Sequence, residues 1–461
     1  MRIIRPKETT MPNSPLLTAP VKPLILKTAL PSMLAMLSTS LCTLLDALLL
    51  ARFGAQHAAA AAVCFPLLAW IQTLGFTLGM GAGSAVSRCL GSRELDMASA
   101  CASTAFFCAA GASLLLCAAG FCFAAPFASL LGAAGDALTL AVPYARYVLA
   151  SGPLLCLNLV LSSLLRALGK TLPNMTAFVS ASGIGIALQF ALIPRLGIHG
   201  AGISMLAREG FALALLAAAV RRGDPLIHPR RNTVCLRLSV FREIMRSGAP
   251  TLLRQGLMSV SSSMLTRAAS AFSEAALAGM GLSIRVLSVV SSAVIGFGQG
   301  FQPVCGAAFG AKDWERVRLS YRFCMRTVVL SLLFTGAVLL FAAGPLLALF
   351  SPDAQTLAIA NSALRAQSVV LCAQGTVVMM NMLTQAAGMT VRASLIASSR
   401  QGFVLIPLLM LLPRLGLSGL ILCQSISDLI SLALCLLVMR GAITDCACAR
   451  GGCSDARKAS R

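Results

Sequence analysis

Charge is scarce in this chain. Only 11% of its 461 residues are Asp, Glu, Lys or Arg, against about 25% in a soluble globular protein. That shortage excludes a water-soluble domain as the main product of folding. Histidine is scarcer still, with His57, His199 and His228 alone. No two of them sit at a metal-binding spacing, and the sequence has neither a nucleophile elbow nor a Gly-rich phosphate loop. The common catalytic constellations are therefore missing, and the chain reads as a non-enzyme that needs no cofactor. Residues 1–24 lack a short apolar stretch followed by a small-residue cleavage site, so they do not read as a cleavable signal. The 17 cysteines show no disulfide framework; scattered through apolar runs, they read as small hydrophobes. Cys446, Cys448 and Cys453 read as part of a reduced cytoplasmic tail in preference to a soft-metal site.

What the chain has in quantity is apolar length. It is 57% hydrophobic with a mean hydropathy of +0.85. Runs of twenty or more apolar residues recur, each long enough to cross a hydrocarbon core of about 30 Å. Twelve spans are expected, at 25–50, 61–86, 98–123, 138–164, 172–193, 199–220, 245–270, 277–305, 320–343, 356–384, 394–412 and 416–439.

These spans fall into two copies offset by 219 residues. Gly79, Gly81, Gly91, Gly169, Gly183, Gly197 and Gly200 return as Gly298, Gly300, Gly310, Gly388, Gly402, Gly416 and Gly419. Random placement would give on the order of one or two Gly pairs at a single offset. Pro194-Arg195-Leu196-Gly197 reappears as Pro413-Arg414-Leu415-Gly416. Six spans per copy put both copies the same way up. The expected fold is all-α and integral to the membrane: twelve transmembrane helices as two parallel six-helix repeats, or lobes, related by a pseudo-two-fold along the membrane normal. Such a plan places a binding site between halves that rock against each other, which points to transport. The expected organisation is an N-terminal tail (1–24), an N-lobe (25–220), a basic linker (221–244), a C-lobe (245–440) and a C-terminal tail (441–461), with both tails and the linker cytoplasmic.

The net charge of +22 suggests nucleic acid at first sight, but its distribution argues otherwise. With the N-terminus inside, 27 of the 37 Lys and Arg fall in cytoplasmic segments, which is the positive-inside rule. Arg88, Arg93, Arg166, Lys170, Arg392 and Arg400 are counted among them. The basic charge sets orientation and touches anionic headgroups. The expected partners are the lipid bilayer and a small-molecule substrate, with no nucleic acid, in a monomer.

Ionisable groups inside the spans are the candidate site, because they are costly there and face a cavity or a partner. The carboxylates are Asp46, Glu209 and Asp428. Asp46 lies 15 residues past Pro31, about 22 Å along the first helix. Glu209 and Asp428 are repeat equivalents, each near mid-membrane. Each could carry a proton or Na+, or could be part of an internal ion pair. Arg208 is a rival for Glu209, although adjacent helix residues point about 100° apart. Arg254, Arg267 and Arg285 are candidate cleft cations that could neutralise carboxylates. An Arg-lined cavity would suit an anionic or lipid-linked substrate.

Several stretches resemble the multidrug and toxic compound extrusion (MATE) transporters, and within them the bacterial DNA-damage-inducible-type and drug/sodium antiporter-type members. They are Asp46-Ala47-Leu48 with Gly54-Ala55; Phe65-Pro66-Leu67 with Gly79-x-Gly81 and Ser87-Arg88-x-Leu90-Gly91; Leu165-Arg166-Ala167-Leu168-Gly169-Lys170; and Ser247-Gly248-Ala249-Pro250. The resemblance covers about 25–440. It implies two lobes around a cleft in a bacterial inner membrane. It also implies efflux of a cationic or amphiphilic organic substrate in antiport with H+ or Na+. It places Asp46 at the first-helix coupling position, with Asn158 and Gln189 in the same network. The sequence departs from the family where helix five often has Asn and, four residues on, Asp: here Gly185 and Gln189 stand. The alternative function is a flippase or exporter of lipid-linked or anionic substrates on the same plan. A major facilitator-type fold is disfavoured because Ser87 to Asp96 lacks that family's charged loop. A polytopic membrane enzyme is disfavoured by the missing motifs.

Overall fold

The computed structural model describes residues 15–52, 55–122, 136–222, 238–348 and 353–448. Among these residues there are only helices and short connections. A single turn, Pro15–Thr18, precedes twelve long helical elements. The first six are α1 (Val21–Arg52), α2 (Ala55–Ser92), α3 (Leu95–Cys122), α4 (Asp136–Ala167), α5 (Thr171–Leu196) and α6 (Ile198–Arg221). The second six are α7 (Leu238–Ser270), α8 (Glu274–Gly310), α9 (Trp314–Ala348), α10 (Ala354–Val369 and Leu371–Ala386), α11 (Thr390–Leu415) and α12 (Leu417–Cys448).

Ten of these helices are long and apolar enough to cross a membrane, and an eleventh is α10, bent by 55° at Val370. The remaining one, α7, is long enough at 33 residues, but Arg242, Glu243, Arg246, Arg254 and Arg267 lie along it. It begins earlier than composition suggests, taking in residues 238–244 that read as linker. The reason is local: Val240 and Ile244, four apart, bury against Ala98, Ala102 and Val160. The C-terminal helix likewise runs on to Cys448, while Cys453 lies outside the described residues.

The repeat is visible in backbone geometry. Positive φ occurs at Gly169 and Gly388 (both 73°), at Gly197 (55°) and Gly416 (93°), and at Arg93 (64°) and Lys312 (59°). Each is a pair 219 residues apart. Glycine recurs at the first four because a side chain is strained there. The halves also meet about a pseudo-two-fold. A Cβ on Gly81 would strike the Ile244 carbonyl and the Gly248 backbone, while one on Gly300 would strike Thr28 and Ala29, the latter the equivalent of Gly248. Likewise Gly91 abuts Ala307 and Gly310 abuts the Arg88 carbonyl. Without an aqueous driving force between apolar helices, close approach of small residues supplies the packing. The remaining glycines of the 75–83 run serve the same end, with Gly75, Gly79 and Gly83 laying α2 against α4 at Cys156, Leu159 and Ser163. At the same end, Leu16 packs beside Gly169, and Arg316 donates to the carbonyls of Leu16 (3.0 Å) and Ala19 (2.7 Å).

Two arginines counted as cytoplasmic are in fact enclosed in helices. Arg166 is buried in α4 against Ser162, Ser163 and Met80. Arg400 sits in a π-helical turn of α11, Ser399–Phe403, and faces α12. By sequence both count with the cytoplasmic basic residues, but the long side chains turn inward to polar partners.

Candidate functional site

The close approaches between the halves lie toward the end of the bundle that carries Arg88, Arg93 and Lys312. Arg88 is their centre. Its guanidinium donates to Glu243 (2.7 Å), to Ser247 (2.8 Å) and to the carbonyls of Gln385 and Ala386 (3.4 and 3.2 Å). Gln385 in turn donates to the Ser247 carbonyl and Thr251, and accepts from Gln302. One arginine of the first half thus ties together α7 and α10 of the second, and Gln385 adds α8 through Gln302.

Farther along, α1 and α8 are joined by a hydrogen bond from Ser40 to Ser292. Beyond it the helices expose polar side chains: Thr43 on α1, Ser259, Ser263 and Thr266 on α7, and Ser288 on α8. Their hydroxyls fold back onto carbonyls of their own helices. The contacts between the halves thus gather at the basic end, and the polar faces beyond them suit a cleft between the halves.

In the first half, four helices converge on one polar cluster. Arg208 of α6 lies between two carboxylates. Its Nη2 and Nε reach Glu209 Oε1 at 3.0 and 3.2 Å, and its Nη1 reaches Asp46 Oδ2 on α1 at 3.5 Å. The same Nη1 is 3.1 Å from Cys42 Sγ. Asn158 of α4 donates to Glu209 Oε2 (2.8 Å) and to the Glu209 carbonyl (3.0 Å). Gln189 of α5 donates to Cys42 Sγ at 3.6 Å. Asp46, Asn158 and Gln189 thus sit together, and Glu209 joins them. Gly185 leaves Arg208 room, because a Cβ there would stand 3.0 Å from Arg208 Cδ.

The two carboxylates differ in how they are held. Glu209 is 7% exposed and receives three side-chain donations. Asp46 is 25% exposed, with one long contact to Arg208. The cluster holds two carboxylates and one guanidinium, a formal charge of −1. Asn158 Oδ1 and Gln189 Oε1 are also buried there, with no hydrogen-bond donor. Unsatisfied oxygens beside an excess carboxylate suit a proton, a water or a small hard cation.

The second half is built differently. Asp428 on α12 is fully buried and held by Arg400 Nε of α11 and by Gln367 Nε2 of α10 at 2.6 Å, while Ser425 donates to Gln367. Repeat-related Glu209 and Asp428 therefore share one pattern, an arginine plus an amide from the fourth helix of the half. The arginines come from different places. Leu265 and Leu408 occupy the equivalents of Asp46 and Gln189. Arg254, Arg267 and Arg285 pair with none of the three carboxylates. Arg267 and Arg285 are exposed, and Arg254 is half-buried beside Arg400 with its Nε unpartnered. Arg208 and Arg400 take the neutralising role instead. The 100° separation of adjacent helix residues fails to exclude Arg208, because its long side chain turns back over its neighbour. No sequence signal marks the π turn that aims Arg400.

Comparison with known proteins places this architecture. The MatE family model matches residues 31–191 and again residues 250–411, beginning at Pro31 and Pro250. The chain is 25% identical over 398 residues to the multidrug export protein MepA of Staphylococcus haemolyticus, covering 85% of this chain and 87% of that one. It is 24% identical over 412 residues to MepA of Staphylococcus aureus, covering 87% and 90%. Among solved structures it is similar to a MOP superfamily transporter from Pyrococcus furiosus (TM-score 0.88, 24% identity, 95% and 99% covered). It is also similar to the Vibrio cholerae MATE transporter VcmN (TM-score 0.84, 23% identity, 92% and 97% covered).

Proposed function

The chain belongs to the MatE family of membrane transporters, a family of transporters and not of enzymes, and from that premise we propose that it is a secondary active exporter. It moves an amphiphilic organic substrate outward in exchange for H+ or Na+, in a bacterial inner membrane with both termini cytoplasmic. The MepA relatives are multidrug export proteins, which supports this reading. The observation that carries it is the first-half cluster: a part-exposed Asp46 loosely held by Arg208, next to Glu209 and two unsatisfied amide oxygens.

Alternating access follows from the two halves. In the conformation described, Arg88 and the glycine contacts seal the basic end and the cleft opens at the other, which is the outward-facing state if the basic end is cytoplasmic. A cation arriving from outside binds at Asp46 and displaces substrate to the outside, and is released inside after the halves rock. Glu209 and Asp428 hold their arginines throughout and act as fixed supports. The test is substrate efflux from proteoliposomes under an imposed proton gradient and, separately, a sodium gradient. Efflux under one gradient and not the other names the ion. Equal efflux with no gradient would overturn the antiport mechanism.

A further inference from the structure

Resting on the exporter reading above, we propose that the second half carries an anion subsite, in which Arg254 with Arg400 takes the carboxylate or phosphate of an amphiphilic substrate. The formal charges of the two halves are opposite. Asp46, Glu209 and Arg208 leave the first cluster at −1; Asp428, Arg400 and Arg254 leave the second at +1. Asp428 is engaged by Arg400 on one oxygen and Gln367 on the other, and Arg254 makes no ion pair with it. Arg254 Nε is enclosed without a hydrogen-bond partner, and the charged group acting on it is Arg400, of the same sign. A guanidinium kept at membrane depth with a like-charged neighbour is costly unless something anionic joins it.

Its position suits a ligand. Arg254 is seven residues beyond Ser247 and so on the same face of α7, about 10 Å along the helix from the bond that Ser247 accepts from Arg88 of the first half. Ser261, seven residues further along the same face, donates to Gln401 of α11. Farther out, Arg267 and Arg285 are exposed and add charge of the same sign, which would draw an anion inward. The planar guanidinium matches two oxygens of an oxyacid at once. The repeat equivalent of Arg254 is Ala35, so the subsite belongs to one half only. A substrate lying across the cleft would meet negative charge on one side and positive on the other, which favours a zwitterion or an anionic amphiphile.

The experiment is equilibrium binding of norfloxacin and of its methyl ester to the full chain in nanodiscs of zwitterionic lipid at pH 7.5. The two probes share a basic amine and differ in the carboxylate. Wild type is expected to hold the acid on the order of tenfold more tightly than the ester. Arg254→Gln should bring that ratio to about one, and Arg254→Lys should restore part of it. A wild-type ratio near one, or a ratio unmoved by Arg254→Gln, would overturn the proposal. The wild-type ratio needs no variant, so the test survives if Arg254→Gln does not fold. Repeating the measurement in nanodiscs that contain phosphatidic acid, whose anionic phosphate has no ammonium partner, assigns the anion: loss of the ratio means the headgroup competes for the arginine, and retention means a free carboxylate holds it. No gradient is involved, so failure here is distinct from failure of antiport.

Discussion

Gly91→Ala is expected to force the halves apart at the basic end. Its Cβ would stand 2.0 Å from the Ala307 carbonyl oxygen and 2.8 Å from its carbon. Ordinary contact needs about 3.4 Å or more, and the obstacle is backbone, which cannot rotate aside. The helices must separate by more than an ångström, or the closed arrangement must carry the strain. Overpacking of this kind costs about 1–3 kcal/mol. The strain is absent once the halves part, so the equilibrium should move toward the open arrangement by about 5- to 150-fold. Amide hydrogen exchange reads this directly, since protection of residues 84–92 and 303–311 reports that contact. The account predicts faster exchange confined to those stretches, with α5, α6 and α12 unchanged. Unchanged exchange, or acceleration spread evenly over all helices, would refute the reasoning.

Other outcomes follow from the two polar clusters. Asp428→Asn leaves Arg400 buried without its counter-ion, a loss of about 3–5 kcal/mol, so folded yield in detergent should fall sharply. Adding Arg400→Gln should recover much of it, and no recovery in the double variant would contradict a simple ion pair. Arg208→Gln leaves Asp46 and Glu209 facing one another without their shared cation. Like charges so placed hold a proton or cation between them, so the thermal midpoint should rise with added Na+ or acid more than in wild type. Equal increments would mean that Arg208 does not supply the compensating charge.

Much of the architecture was legible because it rests on features that sequence spacing records directly. Apolar run length gives the helices. The 219-residue offset gives the two halves, down to the positive-φ pairs Gly169/Gly388 and Gly197/Gly416. The resemblance brought Asp46, Asn158 and Gln189 to one network, and the helices do converge there. What spacing does not record is where a long side chain turns. Arg208 reaches back over Glu209 because Gly185 leaves it room, and that needs the packed neighbour to be known. Arg400 reaches Asp428 from a π turn that residue counting cannot foresee. The helix α7 is the reverse case: its five charged positions hide its length, which shows only when Val240 and Ile244 are seen buried against α3 and α4.

The difference between Asp46 and Glu209 is the central claim, and efflux by Asp46→Asn tests it most directly. Asn keeps the shape of Asp46 and removes the group that exchanges the cation. Gradient-driven efflux from proteoliposomes should fall to background, while the folded yield stays close to wild type, because Asp46 holds Arg208 by a single 3.5 Å contact. Efflux at the wild-type rate from that variant would contradict the account and move the coupling site elsewhere.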